Sequence, residues 1–167
     1  MKIIKGLFNL LSWIVILIII LYLAAGAPIL FGYRPVVVLS GSMEPNYPVG
    51  SLTYYRSIAF DQIREGDAIT FRAGESLVTH RVVEIDSAQK LLYTKGDHNP
   101  TRDNAPVSED KLVGKTTKIA IPYVGYLAGY GKSIPAIICM ILILIISHSL
   151  DIVDKKQRRR DETAQME

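Results

Sequence analysis

The segment LVTHRVVEI, residues 77–85, decides the fold class of this chain. It is rich in β-branched residues, lacks a helical period and reads as a half-buried β-strand. It also mounts an ionisable ring, His80, in an otherwise apolar setting. On either side, RPVVVLS (34–40), SLTYYRS (51–57), AITFR (68–72), LLYTKG (91–96) and KLVGKTTKIAI (111–121) share its wealth of Val, Ile, Thr and Tyr. Between them lie EPNYPVG, REGD, RAGES, DSAQ and GDHNPTRDNAP, clusters of turn-forming residues. No stretch here has helical periodicity, and there is no internal repeat or low-complexity segment. The middle of the chain is therefore expected to be a compact, mostly β domain.

Two apolar runs flank that domain. The first, LFNLLSWIVILIIILYLAAGAPIL (7–30), holds no charge. At about 1.5 Å per residue it crosses a hydrocarbon core of about 30 Å. The small residues of AGA (25–27) offer a competing reading as the end of a cleaved signal peptide. The run is long for that role, and Pro28 directly after the would-be site makes a poor scissile bond, so an uncleaved anchor is expected. The second run, SIPAIICMILILIISHSL (133–150), is short enough to be a buried core helix instead. It lacks the polar face of a soluble helix, and KKQRRR (155–160) follows at once, which favours a second span. With Lys2 and Lys5 before the first run, the positive-inside rule puts both termini in the cytoplasm. The expected organisation is a cytoplasmic N-terminus (1–6), a membrane helix (7–31), an extracytoplasmic β domain (32–132), a second membrane helix (133–150) and a basic cytoplasmic tail (151–167).

The bulk numbers exclude several classes. A length of 167 residues suits one modest domain with anchors. The net charge of +3 is concentrated near the apolar runs, and the tail has no interleaved aromatics, so nucleic acid is not an expected partner. The single cysteine, Cys139, lies in the second apolar run and can form neither an internal disulfide nor a cysteine metal site. Asp97, Asn99, Thr101 and Asp103 alternate like calcium-loop ligands, but Arg102 stands where glycine belongs and Ser108 where glutamate belongs. No metal or cofactor is expected.

Chemistry centres on SGSMEP (40–45), which follows an apolar strand. A serine there needs an adjacent base to become a nucleophile. His148 lies near the cytoplasmic end of the second run and His98 in a polar loop, whereas His80 sits in a strand, a rigid mount for a general base. A neutral lysine could serve instead if buried, but Lys90, Lys95, Lys111, Lys115, Lys118 and Lys132 do not lie inside an apolar strand as His80 does. An acid must orient the imidazole, and the loop KGDHNPTRDNAPV offers both Asp97 and Asp103.

Together these stretches resemble type I signal peptidases, the membrane-bound serine endopeptidases that remove signal peptides. SGSMEP matches the nucleophile box, REGDAITF (64–71) a strand box, THRVVEI (79–85) the base box, TKGDHNPTRD (94–103) the acid box and IPYVGYL (121–127) a closing segment. Histidine at position 80, followed by Arg81, resembles the endoplasmic-reticulum branch, also found in archaea and Gram-positive bacteria, rather than the bacterial enzymes with a lysine base. The resemblance implies a catalytic core like that of self-cleaving SOS repressors, without the large extra β domain of Gram-negative enzymes. It implies Ser42 as nucleophile, His80 as base, Asp103 as triad acid, Asp97 as a supporting acid, and the Ser42 N–H with the Ser40 hydroxyl as oxyanion donors. It further implies secretory preproteins as substrates, cut after small residues as in A-x-A sites, a cell-membrane location in the bilayer, and association with the translocation machinery. A peptidase dedicated to one or a few exported substrates, and a non-catalytic membrane-anchored β domain, are the alternatives.

Overall fold

The computed structural model describes residues 2–130 and 133–164. The boundary expected at residue 132 and the last three residues of the expected tail lie outside that range. The described chain forms two compact units, a helical one from the two ends and a β unit spanning Ala25–Gly129.

In the β unit, all but one of the strands fall where β-branched and aromatic residues concentrate. They are β1 (Tyr33–Val37), β2 (Leu52–Arg56), β3 (Ala68–Ala73), β4 (Ser76–Asp86), β5 (Leu91–Lys95), β6 (Val107–Ser108) and β7 (Leu112–Ile121). They make one sheet in the order β1-β2-β7-β3-β4-β5-β6, and every pairing is antiparallel. The six expected strands are present. The two-residue β6 was not expected, because it lies at the end of a loop dominated by turn residues and is made only by pairing with β5. A short helix, α2 (Val124–Tyr130), occupies the stretch read as a closing segment. One helical turn or two is too short for periodicity to reveal.

Strand β4 organises the interior. Its alternation buries His80 and Val82 and leaves their neighbours more exposed. A register shift opposite β5 between Val82 and Glu84 resets that alternation, so Ile85 packs on the core while Val83 is exposed. The main core gathers Phe60, Ile63, Ile69, Phe71, Val82, Leu92 and Val107, and a smaller cluster gathers Met43, Tyr47 and Ala68 beside the serine-bearing turn. Each fully buried large apolar side chain contributes about 1.5–3 kcal/mol. Between β3, β4 and β7 the buried Thr70 hydroxyl meets Thr79 Oγ1 and Thr116 Oγ1, each at 2.9 Å, which satisfies polar groups the core encloses.

The helical unit contains α1 (Lys2–Gly26), which a short 3-10 turn (Ala27–Phe31) of the β unit continues, and α3 (Ile134–Ala164). Ile3–Phe31 and Ile134–Gln157 are long and apolar enough to cross a membrane. Trp13 and Leu23 are each 70% exposed and Ile145 is 56% exposed, which a buried core helix would not allow. Helix α3 continues through the basic cluster, so the expected tail is helical as far as Ala164. Within this unit Lys5 pairs with Asp151 at 3.1 Å and Asp154 at 2.6 Å, and Ser147 Oγ is 3.1 Å from Asn9 Oδ1. The start of α1 therefore lies against the far end of α3, and the two run antiparallel.

Close packing of β7 against β2 makes Gly114 a sensitive position. A Cβ there would stand 2.3 Å from the Arg56 carbonyl oxygen, a backbone atom that cannot rotate away. Gly114→Ala should lower unfolding stability by about 1–3 kcal/mol. Gly129→Ala, in α2 with nothing within 4 Å of the new methyl, should be neutral or slightly stabilising. Thermal unfolding of both variants in detergent checks the difference.

Candidate active site

The serine-bearing turn is positioned by the edge of the sheet. Beyond β1 the backbone stays paired, with Val38 N donating to Ser51 O and Gly50 N to Val38 O. Ser40 is extended, and the chain then tightens into a 3-10 turn, Gly41–Met43. Met43 is 2% exposed and roots the turn in the smaller core cluster. Ser42 is thus held at a strand end, with its hydroxyl turned toward β4.

There it meets His80. Ser42 Oγ lies 3.1 Å from His80 Nε2, and Asp103 Oδ2 lies 2.6 Å from His80 Nδ1. With the carboxylate on Nδ1, the network assigns the ring proton to that nitrogen and leaves the Nε2 lone pair facing the serine. The ring is buried, with the edge of Phe71 6.2 Å from it centroid to centroid. Asp103 is fixed twice by one residue of β5: Thr94 Oγ1 donates to Asp103 Oδ2 at 2.7 Å, and Asp103 N donates to Thr94 O at 2.8 Å.

The second acid goes elsewhere. Arg81, adjacent to His80, faces the other side of β4, where its Nε and Nη2 donate to the two Asp97 oxygens at 2.7 and 2.6 Å. Asn46 Nδ2, just past the serine turn, donates to the same carboxylate at 2.8 Å. Burial alone would raise the Asp97 pKa, but the hydrogen bonds from Arg81 and Asn46 and the Arg81 charge outweigh it and hold the carboxyl below its ordinary value. The Asp97 hydrogen bond in turn raises Arg81. Burial pushes the neighbouring Tyr47 phenol up; its hydroxyl donates to Thr117 O.

The loop that carries both acids also grips the serine-bearing turn through backbone. His98 N donates to Ser42 O at 2.9 Å, and a Cβ on Gly96 would fall 2.6 Å from that same oxygen. His98 takes part through its amide, while its ring is exposed. Ser40 Oγ lies 3.4 Å from Ser42 Oγ. All five residues singled out from sequence thus gather around one turn, with Asp97 on Arg81 rather than on the imidazole. Thr94, Asn46, Met43 and Gly96 were not singled out. Only the SMEPN stretch hinted at Asn46, and nothing in a strand threonine signals an acid-holding role. Among the described residues no group of three or more His, Cys, Asp or Glu could hold a metal ion.

No protein-family model matches the chain. Individual relatives do. It is 36% identical over 131 residues to signal peptidase I W of Bacillus subtilis (strain 168), which covers 73% of this chain and 69% of that protein. It is 34% identical over 102 residues to a signal peptidase complex catalytic subunit of Homo sapiens, covering 54% of this chain and 53% of that one. A putative signal peptidase complex catalytic subunit of Homo sapiens is 33% identical over 103 residues, 54% and 61% of the two chains. The chain spans little more than half the length of these human relatives. These relatives define a class, the signal peptidases. The chain belongs to the signal peptidase I family, in the branch that Gram-positive bacteria share with the endoplasmic reticulum.

The two acids should separate by experiment. Asp103→Asn should leave the fold in place and disturb the imidazole tautomer, dropping peptidase activity about 10⁴-fold. Asp97→Asn should keep far more activity and lose stability instead. Because the folded Asp97 pKa is depressed, its contribution is present above the ordinary value of about 3.9 and is lost as pH falls through the lower folded value. Thermal melts from pH 7 to pH 3 should therefore show the wild type's advantage over Asp97→Asn shrinking toward the acid end.

Proposed function

We propose that this chain is a membrane-bound serine endopeptidase that cleaves N-terminal signal peptides from exported preproteins, with Ser42, His80 and Asp103 as its catalytic triad. One observation carries the assignment: the hydrogen-bonded line from Ser42 Oγ through both His80 nitrogens to Asp103. Ser42 attacks the scissile carbonyl while His80 Nε2 takes its proton. The imidazolium, stabilised by Asp103, then protonates the leaving amine, and water completes the hydrolysis by the reverse relay. The Ser42 N–H and the Ser40 hydroxyl meet the developing oxyanion, each such donor contributing about 2.7–4 kcal/mol to the transition state. Asp97 supports the site by holding Arg81 and Asn46 on either side of it.

The substrate enters as an extended strand. A groove of about 110 Å³ runs past Ser42 between Val36–Ser40 on one wall and Leu77–Thr79 on the other. A peptide laid there adds to the sheet edge through backbone hydrogen bonds, and the small apolar groove suits the small side chains of A-x-A sites. Both apolar helices span the membrane. Their antiparallel pairing through Lys5 with Asp151 and Asp154 supports two termini on one side, and the basic cluster 155–160 makes that side the cytoplasm. The β unit then works on the outer face, where Ser42 follows the end of the first span by only eleven residues. A preprotein whose own apolar segment lies in the bilayer, delivered by the translocation machinery, exposes its cleavage site on that same face.

Processing of a model preprotein by the full chain in membranes tests this. Wild type should release the mature form, and Ser42→Ala and His80→Ala should slow release by about 10³-fold or more. Persistent cleavage by Ser42→Ala overturns the assignment.

A further inference from the structure

A second, larger cavity lies in the β unit away from Ser42, with a volume of about 620 Å³. Its lining includes Ile29, Tyr33, Arg34, Tyr55, Arg72 and Asp110. Neither arginine forms an ion pair among the described residues, whereas Arg81, Lys90, Arg102 and Lys115 of the same unit all do. Both are exposed, so the two guanidinium groups are open to a ligand. Asp110 is the lining's one acid and does not neutralise the pair.

Chain connectivity says what kind of ligand reaches this place. Ile29 belongs to the last turn of the Ile3–Phe31 span, and Arg34 is three residues beyond that span. Ile29, Leu30 and Phe31 are 53%, 86% and 73% exposed, an apolar tip at the point where the chain leaves the bilayer. Tyr33 follows, under the Arg56 guanidinium at 5.8 Å. Apolar tip, then tyrosine, then arginine is the order of a membrane interface, with each side chain at the depth its chemistry favours.

We propose that this cavity binds the headgroup of an anionic phospholipid. Arg34 and Arg72 meet the phosphate, for which the planar guanidinium fork is well shaped. The Tyr33 and Tyr55 rings line the headgroup space, and the acyl chains continue along Ile29–Phe31 in the outer leaflet. The site uses no part of the peptidase machinery, so it stands or falls independently of the triad.

The test uses the full chain in nanodiscs containing equal phosphatidylglycerol and phosphatidylcholine, with retained lipid identified by native mass spectrometry. Wild type should retain phosphatidylglycerol preferentially, and the double variant Arg34→Gln/Arg72→Gln should lose that preference about tenfold or more. Lys90→Gln/Arg102→Gln, which removes the same charge elsewhere, should keep it. Asp110→Asn should strengthen it. Thermal midpoints in phosphatidylcholine discs, with and without soluble glycerol phosphate, separate the two sources of phosphate. Protection by glycerol phosphate equal to that by phosphatidylglycerol would mark a soluble-anion site and overturn the proposal. No preference in wild type, or an equal preference in the Arg34/Arg72 variant, would overturn it too.

Discussion

Everything at the active site depends on the pleat of β4. Successive side chains on a strand point to opposite faces, so His80 and Arg81 cannot share a partner. The loop after β5 brings two carboxylates, and the pleat deals one to each: Asp103 to the imidazole, Asp97 to the guanidinium. A shift of one residue in the β3–β4 register, which pairs Ile69 with His80, would exchange the faces and undo both contacts. The half-buried setting raises the stakes, because a charge taken from water there is costly unless it is paired.

The sheet order then brings Ser42 to His80. Strands β1 and β4 are far apart in the sheet, with β2, β7 and β3 between them. Their ends nonetheless face each other across the groove beside Ser42, so the sheet must curl. The last strand in sequence, β7, sits between β2 and β3 and closes the structure through non-local contacts. The acid loop ties the curl shut, through the His98 amide on the Ser42 carbonyl and Asp97 on Asn46. The turn that holds Ser42 is therefore gripped from the sheet edge on one side and from the acid loop on the other.

The two membrane helices follow different physics. Their surfaces are apolar and exposed, and both are long enough to cross a membrane. Some of their polar groups pair across the two helices: Asn9 with Ser147, Lys5 with Asp151 and Asp154. Such pairs contribute modestly, about 0.6 kcal/mol each on average between helices in a bilayer, and they align the helices antiparallel.

Much of this molecule was legible in its residues. The six longer strands followed from runs of Val, Ile, Thr and Tyr punctuated by turn residues, because local propensity and burial pattern agree there. Both long apolar helices followed from length and apolarity. His80 stood out because an imidazole in an apolar strand is chemically conspicuous, and Ser42 because its box resembles a known nucleophile turn. The short elements β6 and α2 were not legible, since pairing and packing form them rather than local pattern. Nor could spacing alone divide the work between Asp97 and Asp103, which share a loop and a residue type. Thr94 carried no signal and Asn46 little more than its place beside the serine box, because a threonine in a strand or an asparagine in a turn is ordinary until a carboxylate arrives beside it. Residue types and their order determined a β domain with a serine, a histidine and two acids between membrane helices. Which acid faces the imidazole was open in the residues' spacing, though the resemblance pointed to Asp103; the contact itself is made only by the tertiary structure, because it depends on strand register and the path of one loop, and neither is a local property of the sequence.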